Sequence, residues 1–164
     1  MTTPQYRMME SAVDARAALG EVITAATRDL CVFDVKPTTL RDREFGGLDH
    51  VELIRAMLLA GRQHRVRIAL HETTGIEGEL PRVVALLRQF AGQLQIHRTV
   101  GIARDAQDVM VIADDHTIWR KPVATHTRSV FEGDDSIAVL PYLERFEEIW
   151  QSSERAVSDG ALGL

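Results

Sequence analysis

The chain has 164 residues, 45% of them apolar and 26% charged, and a formal charge of −5. That size and balance predict one globular domain able to bury roughly two thirds of its unfolded surface, and exclude a disordered chain. The acidic balance argues against a dedicated nucleic-acid binder, no apolar run reaches the roughly 18 residues of a membrane span, and the single cysteine, Cys31, excludes an intrachain disulfide and fits a reducing, cytoplasmic setting.

In chain order, residues 1–8 read as a flexible N-terminus without the basic-then-apolar pattern of a secretion signal. Ala12, Ala15, Leu19, Ile23 and Ala26 follow helical spacing and predict a helix over about 10–27. DLCVFDVK, residues 29–36, reads as a buried strand ended by Pro37, which has no donor for the ladder. TTLRDREFGG reads as a loop with room for one short helical turn. Val51, Ile54 and Leu58 give a helix over about 49–62, followed by a strand over 65–72 and the loop TTGIEGE. Leu80, Val83, Val84 and Leu87 predict a third helix to about Gln89, with Gly92 beyond its end. Strands follow over 94–100, 108–114 and 117–121, the last two joined by a tight turn at Asp115 and His116. HTRSVFEG is either one more short strand or a loop. Acids Asp134 and Asp135 precede a last helix running to about Trp150, with Pro141 near its start, where proline costs least. Residues 152–164 read as a flexible tail, leaving a single α/β domain over 9–151. The strand–helix–strand units predict a mixed, mainly parallel sheet with helices packed on its faces.

This order of elements resembles one half of the phospholipase D superfamily fold. The segments that carry the resemblance are ELIRAMLLAGRQHRVRIALHE, AQDVMVIADDHTIW and YLERFEEIW, within residues 10–151. The family's signature is His-x-Lys-x-x-x-x-Asp. With its aspartate placed on Asp114, Gln107 stands at the histidine and Val109 at the lysine, so only the aspartate matches. The family's downstream Gly-Ser and Asn are also unrecognisable in TIWRKPVATHT. In that family a histidine attacks phosphorus, a second histidine from another half protonates the leaving group, and the lysine stabilises developing charge. A carboxamide is no nucleophile and a valine is no donor. The resemblance therefore implies a phospholipase D-like half with a degenerate active site and no phosphodiesterase activity of the family's kind. Because family halves pair, it also implies a homodimer.

Other constellations are weaker. His71-Glu72-Thr73-Thr74-Gly75 falls one histidine short of a zinc-protease helix and ends a strand instead. Asp105, Asp108, Asp114, Asp115 and His116 read as turn acids and strand-end polar groups rather than a metal cluster. His50, His64, His97 and His126 show no ligand spacing, so neither a metal nor a cofactor is expected. Cys31, within an apolar strand, reads as an inert core thiol. Arg98, Arg104, Arg120, Lys121, His126 and Arg128 come from segments near the family's catalytic groove and suggest an anion pocket, with a solvated basic face as the plainer alternative. Alternation along the strand is expected to turn Arg120 to the groove and Trp119 to the core. The leading expectation is a non-catalytic domain that binds an anionic small molecule or a protein partner. Two alternatives stay open. One is an enzyme with a repurposed groove, with Asp114, His116 or His126 acting beside Arg120. The other is a scaffold or accessory module. Nucleic acid ranks below all three.

Overall fold

A computed structural model describes residues 3–157. Its elements are β1 (Gln5–Met9), α1 (Ala12–Ala25), β2 (Asp29–Asp34), α2 (Pro37–Asp42), α3 (Leu48–Leu59), β3 (Arg65–Leu70), α4 (Ile76–Glu79), α5 (Pro81–Gln89), β4 (Leu94–Thr99), a 3₁₀ turn (Gly101–Asp105), β5 (Val109–Ala113), β6 (Thr117–Lys121), β7 (Ser129–Gly133), α6 (Ser136–Gln151) and β8 (Ser153–Val157). The eight strands form one sheet in the order β1-β7-β6-β5-β2-β3-β4-β8.

Two strand–helix–strand units set the centre. Each returns its chain through a helix, α3 or α5, so β2, β3 and β4 run parallel. Every other pairing is antiparallel. The sheet is therefore mixed but mostly antiparallel, which corrects the mainly parallel expectation. The reason is that an apolar run such as Val109–Ala113 marks a strand covered on both faces and carries no sign of direction. β5 lies antiparallel against β2, and the β5–β6–β7 meander extends the sheet from there.

The sheet also reaches further along the chain than the apolar pattern suggested. Gln5–Met9, expected as part of a flexible end, pairs with β7, and Ser153–Val157, expected in the tail, pairs with β4. Each buries only its last residue, Met9 or Val157. Their main-chain pairing holds them, and composition does not record it. The rest of the expected tail, residues 158–164, lies outside the described residues.

Helices cover the two faces unequally. α1, α3 and α5 pack over one face, where Leu19, Ile54 and Leu87 meet Val32, Ile68 and Trp119 in one core cluster. α6 alone crosses the other, laying Val139, Phe146 and Ile149 on Phe33, Met110 and Ile118. Asp135 caps α6 by accepting from the amide of Ala138 at 3.0 Å.

Several polar groups beneath α6 have partners. Arg67 is buried, pairs with Glu147 at 2.5 Å and donates to the Cys31 sulfur at 3.4 Å. Burial pushes the Cys31 thiol up to about 11 despite that guanidinium, so it stays protonated and unreactive. His97 stacks on Trp150 with ring centroids 3.6 Å apart and hydrogen-bonds Ser153 through Nδ1 at 2.8 Å. Burial, with Arg155 and Arg67 nearby, holds this imidazole below its ordinary value of 6.5. The unfolded chain therefore takes up the proton first. The stabilisation is complete above 6.5 and is lost as pH falls from there through the lower folded value. His97→Phe keeps a stacking ring and is expected to flatten the stability–pH curve just below 6.5, measured by urea unfolding across that range. An unchanged slope would assign it to another group.

Candidate functional site

The site begins where β2 ends. Asp34, fully buried, closes the strand, and Pro37 does more than stop it. Proline sits in the first turn of α2, where its fixed φ suits the helix and its missing N–H costs nothing. Asp34 Oδ1 accepts from the Val35 amide at 2.7 Å and from Thr39 Oγ1 at 3.0 Å. α2 then brings Arg43 back over the strand end, with Nε 2.7 Å from Asp34 Oδ2 and Nη2 3.4 Å from Oδ1. Glu44, at φ 65°, turns the chain away in the left-handed region.

Beside this pair lies the end of β6. Alternation puts Trp119 and Lys121 on the face toward α1, and the Arg43 guanidinium stands 5.4 Å from the Trp119 ring centroid. Burial, reinforced by Arg43 and opposed by Asp34, holds the Lys121 amine below its ordinary value. Among the described residues Lys121 enters no ion pair. From α1 come Ala12, Ala15, Arg16 and Leu19, and from the loop after β6 comes His126. Together they enclose a cavity of about 250 Å³. Trp119, 1% exposed, forms part of its wall, and its indole N–H has no partner among the described residues. A larger depression on another side of α1 is lined by Glu21, Asp49 and Asp134 and gathers no lysine or arginine.

Of the expected anion-binding residues, Lys121 and His126 meet at this cavity and the other four lie elsewhere. Arg120 lies on the opposite sheet face, 4.5 Å over the Tyr142 ring and 3.6 Å from Glu132. Arg98 pairs with Glu154 at 2.9 Å, and Arg128 with Glu10 at 3.3 Å. Arg104 sits in the 3₁₀ turn. The Arg120 expectation fails because the concave site opens on the core face that Trp119 shares, not away from it. Arg16 and Arg43 were missed. A charge inside the stripe Ala12, Ala15, Arg16, Leu19 was the available signal for the first. No local pattern marks the second.

The motif positions Gln107, Val109 and Asp114 do not form one site. Val109 opens β5 and is buried in the core, whereas Asp114 follows its far end, roughly 17 Å away for five extended residues. Asp114 works there as a clamp. Its carboxylate accepts from the amides of Thr27, Arg28 and Asp29 at 2.9–3.1 Å and from Thr27 Oγ1 at 2.9 Å. Burial alone would raise its pKa, but those donors outweigh it and hold the carboxyl below its ordinary value. His116 lies 3.5 Å from Asp114, at the opposite end of β6 from Lys121, so the Asp114–His116–His126–Arg120 set does not converge. His71, which bonds the residue before Gln107, is committed on both sides. Nδ1 lies 2.6 Å from Thr99 Oγ1 and Nε2 lies 2.7 Å from the Ala106 carbonyl. Among the described residues no three His, Cys, Asp or Glu side chains are placed to share a metal ion.

Residues 11–159 match the family described as Domain of unknown function (DUF7931). The chain belongs to that family. No curated protein matches this DUF7931 chain. Solved structures give the fold. NucT from Helicobacter pylori superposes with a TM-score of 0.60 at 12% identity, covering 93% of this chain and 99% of that one. Nuc from Salmonella typhimurium, a phospholipase D family member, gives 0.58 at 15% identity, covering 95% and 100%. TrmBL2, an archaeal chromatin protein described with a novel mode of DNA binding, gives 0.58 at 15% identity, covering 92% and 55%. The DUF7931 fold is thus phospholipase D-like. Since that fold includes a DNA-binding chromatin protein, it gives no ground for ranking nucleic acid low. Among the described residues no helix is long and apolar enough to cross a membrane.

Proposed function

We propose that this DUF7931 domain binds a small anion in the cavity beneath α1 and does not turn it over. The observation that carries the reading is the convergence of Lys121, Arg43, Arg16 and His126 on one cavity. Cations already gathered around a concavity lose little entropy when an anion enters. The non-catalytic part rests on the signature positions, where Gln107 and Val109 bring neither nucleophile nor cation. The neighbouring His71 has both nitrogens occupied.

A thermal-shift series with phosphate, sulfate and small carboxylates tests the binding. A ligand at 100 times its Kd adds about 2.7 kcal/mol of stability, which moves the midpoint of a domain this size by several degrees. Lys121→Gln, at a partly exposed position, is expected to fold normally and to lose most of that shift. A shift retained in Lys121→Gln, or no shift with any anion, removes the proposal. Turnover of bis(4-nitrophenyl) phosphate that disappears in Gln107→Ala would overturn the non-catalytic part. The same reading includes pairing of two copies, supported by an edge strand, β1, that leaves Tyr6 and Met8 exposed. Light scattering at tens of micromolar is expected to give twice 18.3 kDa, and a monomer mass would remove the pairing.

A further inference from the structure

Resting on that reading, we infer that the cavity selects a doubly charged anion carrying a compact apolar body, the class of a small aryl or alkyl phosphate monoester. Charge accounting supplies the first half. Arg43 is matched by Asp34 through two contacts, so that pair is neutral toward a ligand. Asp42 is the one acid in the lining, and Arg41 holds its carboxylate at 3.1 Å. Arg16 Nε donates only to the Asp42 carbonyl, at 3.2 Å, and Lys121 enters no ion pair among the described residues. Two positive charges in the lining thus lack a counter-charge. A dianion satisfies both, whereas a monoanion leaves one partly desolvated cation unmatched.

The opposite wall supplies the second half. On the α1 side Ala12 and Ala15 line the cavity, with Leu19 and Trp119 sealed behind them, so this wall is apolar while Thr125 and Thr127 line the loop side. An inorganic ion satisfies the charges and leaves Ala12 and Ala15 wet. A small ring or short chain covers them and gains the burial of apolar surface. At about 250 Å³ the space lies below the range of ordinary drug-sized pockets, which favours a compact body over a nucleic-acid segment.

Trp119 also gives the readout. The chain has two tryptophans, and Trp150 is the other. In Trp150→Phe, which keeps an aromatic ring against His97, indole emission reports the cavity wall alone. Titrations with phenyl phosphate, inorganic phosphate and benzoate separate charge from shape. Phenyl phosphate is expected to change the emission and to bind at least tenfold more tightly than either of the others. Adding Ala15→Leu, which fills the apolar wall and touches no cation, is expected to weaken phenyl phosphate at least tenfold and to leave inorganic phosphate binding in place. Benzoate or inorganic phosphate binding as tightly as phenyl phosphate overturns this inference and leaves the anion reading standing. Phenyl phosphate binding unchanged by Ala15→Leu overturns it too. Silence toward all three probes, in emission and in thermal shift, takes both down.

Discussion

Asp34→Ala is expected to cost the fold about 3 kcal/mol, read as a fall in the urea midpoint at unchanged m-value. The carboxylate is fully buried and has four partners, the Val35 amide, Thr39 Oγ1 and two Arg43 nitrogens. Removing it strands a guanidinium that is mostly covered. Because Arg43 keeps some access to water, the loss falls at the low end of the range for broken buried pairs. Arg43→Met does the converse and leaves a sealed carboxylate, so its loss is expected to be at least as large. The double variant Asp34→Ala/Arg43→Met leaves neither charge stranded and is expected to lose less than the sum, by about 1 kcal/mol or more. Strict additivity would show that the two side chains do not act as a unit. The pair also places a wall of the cavity. Asp34→Ala is therefore expected to weaken anion binding under conditions where the protein is still fully folded.

The second large effect lies at the other end of the sheet. Asp114→Ala removes four accepted hydrogen bonds and puts an ordinary side chain at φ 53°. Three orphaned amides and a left-handed alanine together are expected to cost about 3 kcal/mol. Asp114→Asn tolerates the backbone and keeps an acceptor, so it is expected to lose about half as much. Asp114→Gly relieves the backbone but not the amides, and its excess over Asp114→Asn measures the side-chain bonds. The clamp also titrates. Its folded carboxyl is held below the ordinary 3.8. Its stabilisation is complete above that value and is lost as pH falls through the lower folded one. Asp114→Asn is expected to lack that part of the acid slope. If wild type and Asp114→Asn lose stability in parallel below 3.8, other carboxylates carry the acid transition.

What could be read in advance follows from what periodicity encodes. The stripes of α1, α3, α5 and α6 and the runs of β2 to β6 report burial. Each element stands within a few residues of its expected place, as with a strand expected over 29–36 and found over Asp29–Asp34. Burial carries no direction, which is why β5 gave no sign of lying antiparallel to β2. Edge strands bury too little to register, which hid β1 and β8. In the cavity, Lys121 and His126 were visible as cations near a strand end. Arg43 depends on the path of α2, which carries it back nine residues later onto Asp34. Alternation assigned Trp119 and Arg120 to opposite faces correctly. Which face would be hollow depends on how closely α1 seats, and its small residues Ala12 and Ala15 leave the gap.

The outermost strands of the sheet are the first and the last along the chain. Seven strand spacings of about 4.8 Å separate them, roughly 34 Å before twist is counted. Anything tethered ahead of Gln5 and anything tethered behind Val157 therefore departs from opposite flanks. Linking the end of β8 straight back to the start of β1 demands a bridge of about ten extended residues, so a shorter loop is expected to tear one flanking strand away.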